Sequence, residues 1–256
     1  MLSFGKTDIG KIRETNEDNI FFSDKKIGDL NNLYIICDGM GGHKAGDVAS
    51  KLAIESFLDY VKKNACEDKN MILDFFVSAG NYANKIVYDA GRENFDYEGM
   101  GTTLSACCFF DKKIYCLHAG DSRIYRINNS GLRQLSRDHS YINEMLKSGK
   151  INSEEAKNHP KKNIITRAVG IEENIKFDAF IFDFDSSQKN YFLMCSDGLN
   201  CVLDDYEIFD LIKINNLDLG QEKINIWLKE KVNNLIDAAN RNGAPDNISV
   251  ILICGV

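Results

Sequence analysis

Apolar residues in this chain fall into short strand-like runs and longer helical stretches with one apolar face. Apolar residues at intervals of three and four predict amphipathic helices at 47–62, 71–88 and 224–239. The short runs predict strands at 33–37, 102–110, 114–118, 122–127, 179–184, 191–195 and 248–254. Because each helix has a single apolar face, it needs a sheet to lie on. The pattern therefore predicts a layered α+β fold with antiparallel sheets between helices.

A polar segment at about 137–170 interrupts this pattern. It contains an amphipathic piece around Ile142 and Leu146, and a second short helix is predicted at 153–157. A long insertion between strands with little apolar content is typical of a mobile lid or a functional loop. No Pro-, Gly- or Ser-rich linker divides the chain. We therefore predict one domain over residues 1–256, with a flap insertion at about 137–170.

Composition and charge narrow the possible classes of protein. The 256 residues are 44% hydrophobic and 27% charged, which is typical of a soluble globular protein. A net charge of −7 disfavours partners such as nucleic acids and anionic membranes. The sequence shows neither a secretory signal nor an apolar run of the roughly 18 to 20 residues that a membrane span needs. The eight cysteines, mostly in apolar runs and without CxxC spacing, indicate buried thiols, so a cytoplasmic location is predicted.

Acidic residues recur where predicted strands end or begin. The positions are Glu17-Asp18, Asp38-Gly39, Gly120-Asp121, Asp197-Gly198 and Asp246. A single Asp-Gly pair is a common turn after a strand. Several such acids at strand ends suggest a shared site, because the ends of core strands often converge in space. Carboxylates brought that close cannot all stay ionised without cations.

The candidate ligands indicate the kind of metal and the kind of chemistry. Oxygen ligands without a Cys/His cluster select hard ions, so Mg²⁺ or Mn²⁺ is expected. A two-metal centre of this type activates water for in-line displacement at phosphorus. Arg13, four residues before Glu17, offers a planar fork for a phosphate, and the glycines at 39–42 allow close backbone approach. Taken alone, an exposed arginine and a glycine-rich turn also have ordinary structural explanations.

Six motifs occur in order along the chain, at residues 13–18, 38–43, 101–103, 120–123, 196–198 and 246–247. They closely resemble the motifs of the metal-dependent type-2C protein phosphatases, from Gly5 to Cys254 in the family's order and spacing. The segment at 138–170 resembles the flap of the bacterial members. The resemblance implies a four-layer α-β-β-α sandwich with two central antiparallel sheets. It also implies a dinuclear metal site in a cleft at one end.

The resemblance further implies a role for each matching ligand. Asp38 would bridge the two catalytic metals. Glu17 and the Gly39 carbonyl would complete the protein ligands of one metal. Asp197 and Asp246 would hold the other metal.

Three more residues receive roles from the same resemblance. Asp18 would orient metal-bound water from behind the ligands, and Arg13 would grip the substrate phosphate. Asp121, together with Asp197, would support a weaker third metal near the flap. Arg13, Asp18 and Asp38 are thus the expected catalytic residues. The expected cofactors are two Mn²⁺ or Mg²⁺ ions and a third ion at the weaker site.

The sequence departs from the family pattern at one position. Many eukaryotic relatives carry a histidine directly after the Asp-Gly pair, proposed as the general acid, where this chain has Met40. His43 lies three positions further on and is not assumed to replace it. The general acid therefore stays unassigned. His118, His139 and His159 are predicted to be structural.

The implied activity is hydrolysis of phosphoserine and phosphothreonine monoesters on proteins by a water activated at a dinuclear metal centre. The expected partners are phosphorylated proteins and a bacterial serine/threonine kinase that the chain opposes, and the chain is expected to be a monomer. One alternative is a hydrolase of small phosphoesters or other phospho-residues. Another is an inactive phosphatase-like binding module. The second alternative is disfavoured because pseudo-enzymes usually lose a metal ligand, and the four main carboxylates are present.

Overall fold

The computed structural model describes residues 1–42, 45–157, 159–185, 189–212 and 220–255, which form strands and helices in an interleaved order. The strands are β1 (Leu2–Asp8), β2 (Asp18–Ser23), β3 (Leu33–Met40), β4 (Gly101–Thr102), β5 (Leu104–Phe110), β6 (Lys113–Ala119), β7 (Arg123–Asn128), β8 (Gly131–Gln134), β9 (Asp178–Asp183), β10 (Asn190–Cys195) and β11 (Ile248–Gly255). The helices are α1 (Ala45–Lys63), α2 (Ile72–Glu93), α3 (Tyr141–Lys147), α4 (Ser153–Lys157), α5 (Asp197–Asn200), α6 (Asp205–Ile212) and α7 (Gln221–Arg241).

Two antiparallel sheets form the centre of the molecule. One has the strand order β1-β11-β10-β7-β8, and the other has the order β2-β3-β5-β6-β9 with β4 paired to β3. Side chains such as Tyr34 and Ile36 from one sheet and Phe192 and Ile251 from the other fill the space between them. Helices α1 and α2 pack on the outer face of the sheet that contains β3, and α6 and α7 pack on the other outer face. The predicted four-layer α-β-β-α sandwich is confirmed.

The local sequence explains most of these elements. Strand β3 is apolar at successive positions because Leu33, Ile35 and Cys37 face the helices while Tyr34 and Ile36 face the other sheet. On α7, Leu228, Val232, Leu235 and Ile236 are buried in one cluster with side chains of β10 and β11, and Ile224 and Trp227 are partly buried beside them. None of the helices in the described ranges is long and apolar enough to cross a membrane. All eight cysteines lie within the described ranges and are free.

Some element boundaries differ from the predictions. The run at 102–110 divides at Thr103, where the Asp38 N–H donates to the Thr103 hydroxyl rather than to the Thr103 carbonyl oxygen, although the Thr103 N–H still donates to the Asp38 carbonyl oxygen. Strand β1 was not predicted, since its side chains are mostly half-buried and show no clear alternation. Helix α6 was also missed, because eight residues are too few for a clear helical period.

The flap leaves the sandwich after β8 and returns before β9, and it contains α3 and α4. Its first leg is held by a hydrogen bond from the His139 N–H to the Gly120 carbonyl at 2.7 Å. Its second leg is held by an antiparallel bridge between Val169 and Thr102. The two legs are themselves bridged through Ser140 and Ile165. Both ends of the flap are thus attached next to strand ends that carry acidic residues.

Candidate active site

Strand ends from both sheets bring the predicted acids together at one end of the sandwich. Asp18 begins β2 and is the direct register partner of Asp38 near the end of β3. From the other sheet, Asp197 follows β10 and Asp246 precedes β11, which are neighbouring strands. Asp121 follows β6. The charges of Asp18, Asp197, Asp121 and Asp246 all act on Asp38, so Asp38 lies within electrostatic reach of the other four aspartates.

The backbone at Asp38 is fixed by the motif at 101–103. The Asp38 N–H donates to Thr103 Oγ1 at 2.9 Å. The Asp38 carbonyl oxygen accepts from the Thr103 N–H and from Thr102 Oγ1, both at 2.9 Å. The motif is recognisable in the sequence, but its pattern indicates no function for the two threonines. The structure shows that they hold Asp38 from behind.

Asp18 links the two sheets. It is 4% exposed, and its Oδ2 accepts a hydrogen bond from the Ser196 hydroxyl at 2.7 Å. Ser196 lies just after β10, and its Oγ in turn accepts from the Ser249 N–H at 2.9 Å. Asp18 therefore lies behind the cleft as a buried, hydrogen-bonded acid. Ser196 and Ser249 are contacts that sequence reasoning did not assign.

Glu17 is held against the first turn of α1. Its N–H donates to Asn247 Oδ1 at 2.9 Å, and its carbonyl oxygen accepts from Ser50 Oγ at 2.6 Å. A Cβ on Gly46, the second residue of α1, would lie 2.7 Å from the Glu17 carboxyl carbon. Only glycine leaves room for this carboxylate over the helix N-terminus, where a negative charge is stabilised. Gly46 and Asn247 were missed as site residues, although a glycine at the start of a helix was a usable signal.

Burial and mutual repulsion raise the pKa values of these acids. Burial raises the pKa of Asp18 to about 7, that of Asp197 to about 6 and that of Asp121 to about 8, and neighbouring acids add to each shift. The pKa of Asp38 is raised well above its ordinary range by burial and then by the surrounding carboxylates. Burial also raises the pKa of Glu17. Cations are therefore needed if all these groups are to be charged near neutral pH.

Arg13 contacts the acids from the open side. Its Nη2 donates to Asp246 Oδ2 at 2.7 Å, and its side chain is 49% exposed. The hydrogen bond to Asp246 is the main cause of a raised Arg13 pKa, so the guanidinium stays protonated. The structure thus brings Arg13 into the acidic group, on its solvent-exposed side.

The donor set fits hard divalent cations. Among the described residues, no three His, Cys, Asp or Glu side chains are arranged to hold a metal ion as they stand. The Asp38 and Asp197 carboxyl groups lie close enough to interact with each other. Asp121 has an oxygen that is left without such an interaction: the residue is 9% exposed, and its Oδ1 has no hydrogen-bond partner among the described residues. A buried carboxylate oxygen without a partner, in a set of oxygen donors, fits Mg²⁺ or Mn²⁺.

A cleft of about 830 Å³ extends from the acids along the flap. Asp121 and Asp197 are among the residues that line it. The flap contributes Arg137 and Leu146 to one wall, and the segment from α5 to α6 contributes Val202 and other side chains to the opposite wall. A groove of this volume has room for several residues of an extended polypeptide.

The histidines contribute little to the open cleft. Met40 ends β3, and His43 lies outside the described residues, so the general acid stays unassigned. His118 is fully buried between Ser105 Oγ and the Arg137 carbonyl oxygen, and burial lowers its pKa to about 4. His159 packs against the ring of Tyr141 at a centroid distance of 5.9 Å. His139 is bound to the turn before Asp121, as described below.

Comparison with known proteins agrees with this geometry. The family model "Protein phosphatase 2C" matches residues 11–233. The serine/threonine phosphatase stp of Listeria welshimeri is 37% identical over 249 residues, which are 97% of this chain and 93% of that protein. The crystal structure of the serine/threonine phosphatase Stp1 from Staphylococcus aureus superposes with a TM-score of 0.87 at 31% identity, covering 99% of this chain and 94% of that one.

A further solved structure bears on the metal. The catalytic domain of the serine threonine protein phosphatase PstP, in complex with two manganese ions, superposes with a TM-score of 0.80 at 28% identity. The match covers 98% of this chain and 96% of that chain. With the family model, the full-length relative and the shared architecture in agreement, the chain belongs to the protein phosphatase 2C family.

Proposed function

We propose that this protein hydrolyses phosphoserine and phosphothreonine monoesters on other proteins with the help of bound divalent cations. The observation that carries the proposal is the convergence of acids from both sheets around Asp38, with Arg13 at the open side. The relatives support it, because those at 30% identity or more over nearly the whole chain include proteins named serine/threonine phosphatases.

The proposed ligand assignment follows the positions of the acids. Glu17, Asp38 and the Gly39 carbonyl would hold one cation, and Asp38, Asp197 and Asp246 would hold a second. When bound, such cations lower the pKa of water and offset negative charge at a phosphoryl group. The assignment is supported by the all-oxygen donor set and by the raised pKa values of Asp38 and Asp197.

The chain's own residues supply binding and orientation. Arg13 is placed to form two parallel hydrogen bonds to phosphoryl oxygens, because its guanidinium is half-exposed beside Asp246 and stays protonated. Asp18, held by Ser196, would accept a hydrogen bond from the attacking water and orient it. The cleft between the flap and α5–α6 would hold the polypeptide on one side of the phosphorylated residue.

The cleft also favours protein substrates over small phosphoesters. A small phosphoester would fill only the part of the cleft at Asp121 and Asp197, and the remaining volume would stay empty. We further propose that the protein acts as a monomer and counteracts a serine/threonine kinase. The free cysteines fit a reducing compartment such as the cytoplasm.

The test is phosphatase turnover after chelator treatment, with and without added Mn²⁺ or Mg²⁺. A phosphothreonine peptide and p-nitrophenyl phosphate are compared at equal concentrations. We expect no turnover without added metal and a higher kcat/KM for the peptide when metal is present. Equal kcat/KM values would support the small-phosphoester alternative. No turnover of either substrate under any metal condition would support the inactive binding module.

Replacing Arg13 with Ala is expected to act mainly on substrate binding. Two charge-assisted hydrogen bonds to the phosphate are lost, so KM for the phosphopeptide should rise about 10- to 100-fold, with a smaller change in kcat. Arg13→Lys keeps the positive charge but cannot form the two parallel hydrogen bonds, so its KM should lie between those of the wild type and Arg13→Ala. Arg92→Ala, at an exposed position on α2, is the matched control. A loss in kcat at unchanged KM would show that Arg13 does not bind the ground-state phosphate.

Replacing Asp121 with Ala is expected to remove a weak cation site. Asp121 has a buried oxygen without a partner, and its loss should leave the cations at Asp38 in place while turnover falls about 10-fold. Metal content by equilibrium dialysis, measured with turnover at rising Mn²⁺, checks both effects. Asp89→Ala, which breaks only an exposed ion pair with Lys85, is the control. Full activity of Asp121→Ala at every metal concentration would contradict the assignment.

A further inference from the structure

His139 forms two hydrogen bonds with the backbone of Gly120, the residue before Asp121. The His139 N–H donates to the Gly120 carbonyl oxygen at 2.7 Å, and the Gly120 N–H donates to His139 Nδ1 at 3.1 Å. The histidine is 7% exposed. His139, at the root of the flap, therefore binds both backbone polar groups of a residue in the active-site turn: its main-chain N–H binds the Gly120 carbonyl oxygen, and its side chain binds the Gly120 N–H.

The opposite side of the imidazole determines its tautomer. Because Nδ1 accepts a hydrogen bond from the Gly120 N–H, the neutral ring carries its own proton on Nε2. Nε2 lies 3.1 Å from Asp178 Oδ2 and 2.8 Å from Arg167 Nη1, and because a guanidinium cannot accept a hydrogen bond, the Nε2 proton is directed to Asp178. Arg167 Nη1 donates to the other oxygen of Asp178 at 2.8 Å. The Arg167–Asp178 pair thus fixes the orientation of the ring and keeps Nδ1 free to accept.

The turn at 120–122 is held between His139 and Thr103. Gly120 has φ +113°, and a Cβ there would lie 2.5 Å from the Thr103 side chain. The Thr103 and Ser122 hydroxyls are hydrogen-bonded at 2.8 Å, and the same Thr103 oxygen accepts from the Asp38 N–H. The Asp121 Oδ1 atom has no partner among the described residues. The placement of that atom therefore depends on how the backbone of this turn is held.

We propose that His139 is a positioning residue that sets the place of the Asp121 carboxylate through Gly120 and connects it to the flap. The connection to the flap is direct, because the His139 carbonyl oxygen accepts from the Thr166 N–H at 2.8 Å on the flap's second leg. The proposal rests on the proposed function, in that Asp121 is taken as a cation ligand there. It assigns His139 no contact with substrate or with the reacting atoms.

Two substitutions test the two ring nitrogens of His139 separately. His139→Asn places an amide oxygen near the position of Nδ1 and keeps an acceptor for the Gly120 N–H. His139→Gln places an amide nitrogen near the position of Nε2 and loses that acceptor. We expect His139→Gln to raise the Mg²⁺ concentration for half-maximal phosphopeptide turnover about 10-fold, and His139→Asn to change it less than about 3-fold. His159→Gln, elsewhere in the flap, is the control and should match the wild type.

A measurement on the chelated protein tests the same contact without turnover. Amide hydrogen exchange at Gly120 should be faster in His139→Gln than in the wild type and close to the wild-type rate in His139→Asn. The double variant with Asp121→Ala tests whether His139 acts through Asp121. In that background His139→Gln should have little further effect on the metal requirement.

Equal metal requirements for the two single variants would overturn the proposal, as would additive effects of His139→Gln and Asp121→Ala. If His139→Gln does not fold, Asp178→Asn replaces it, since it leaves the histidine in place but removes the charge that fixes the Nε2 proton. An unchanged metal requirement in Asp178→Asn would then overturn the proposal. If wild-type turnover does not depend on metal, the proposed function fails, and Gly120 exchange alone decides the positioning role.

Discussion

Asp38→Asn is expected to lower kcat/KM for a phosphothreonine peptide by at least about 10³-fold, equivalent to roughly 4 kcal/mol of transition-state stabilisation. Asp38 lies within electrostatic reach of the other four aspartates, and the change removes the charge that both proposed cation sites share. The backbone should not move, because Thr102 and Thr103 hold it through main-chain groups that the substitution keeps. Steady-state turnover over a range of Mn²⁺ concentrations measures the effect.

The same variant should be more stable than the wild type when no metal is present. The pKa of Asp38 is raised by burial and by its acidic neighbours, so ionising it in the folded state is unfavourable, and an amide avoids that cost. Loss of activity together with a higher melting temperature in chelator excludes unfolding as the cause. Asp183→Asn, at a 76% exposed side chain, is the control and should change neither quantity. Wild-type turnover by Asp38→Asn would contradict the proposed cation sites.

The second large effect is a dependence of metal-free stability on pH. Aspartates titrate near pH 4 in an unfolded chain, whereas Asp18 and Asp121 have folded-state pKa values of about 7 and about 8. Between these values the folded state binds more protons than the unfolded state, so the free energy of unfolding falls as pH rises. His118 makes the free energy of unfolding rise with pH instead, because its folded-state pKa is lowered to about 4. This effect ends at about pH 6.5, where histidine titrates in an unfolded chain.

Above about pH 7 His118 no longer contributes, and two kinds of group remain: the acids, and the buried cysteines such as Cys37 and Cys195, whose raised pKa values add a loss of stability of the same sign as the unfolded thiols begin to ionise near pH 8.5. We expect the melting temperature of the chelated protein to fall by about 3–6 °C between about pH 7 and about pH 8.5. Added Mg²⁺ should raise the melting temperature more at the higher pH, because fewer protons compete for the carboxylates. Asp121→Asn should flatten the dependence. A melting temperature that stays constant or rises across this window in chelator would show that these acids are already charged in the folded protein.

The pattern of apolar positions was sufficient for the layers of the fold. Strand β3 has apolar side chains on both faces, and α7 has a stripe that matches one face of a helix, so each could be placed on a sheet. The half-buried β1 and the short α6 were beyond this method, because neither has a clear period. The resemblance of the motifs to a known family added the order of the layers, which periodicity alone does not contain.

The sequence by itself determined which residue types are available at the strand ends, namely acids followed or preceded by glycine, with an arginine near Glu17. Only the tertiary structure decided which of them meet. Arg13 and Asp246 are 233 positions apart in the chain and form an ion pair, and Ser196 reaches Asp18 from the other sheet. Such contacts depend on strand register and sheet packing, which no local pattern encodes. For the same reason no motif predicts the raised pKa values of the acids, which follow from burial and from neighbouring charges. The hydrogen bond from the Gly120 N–H to His139 likewise depends on how the flap packs against the sheet.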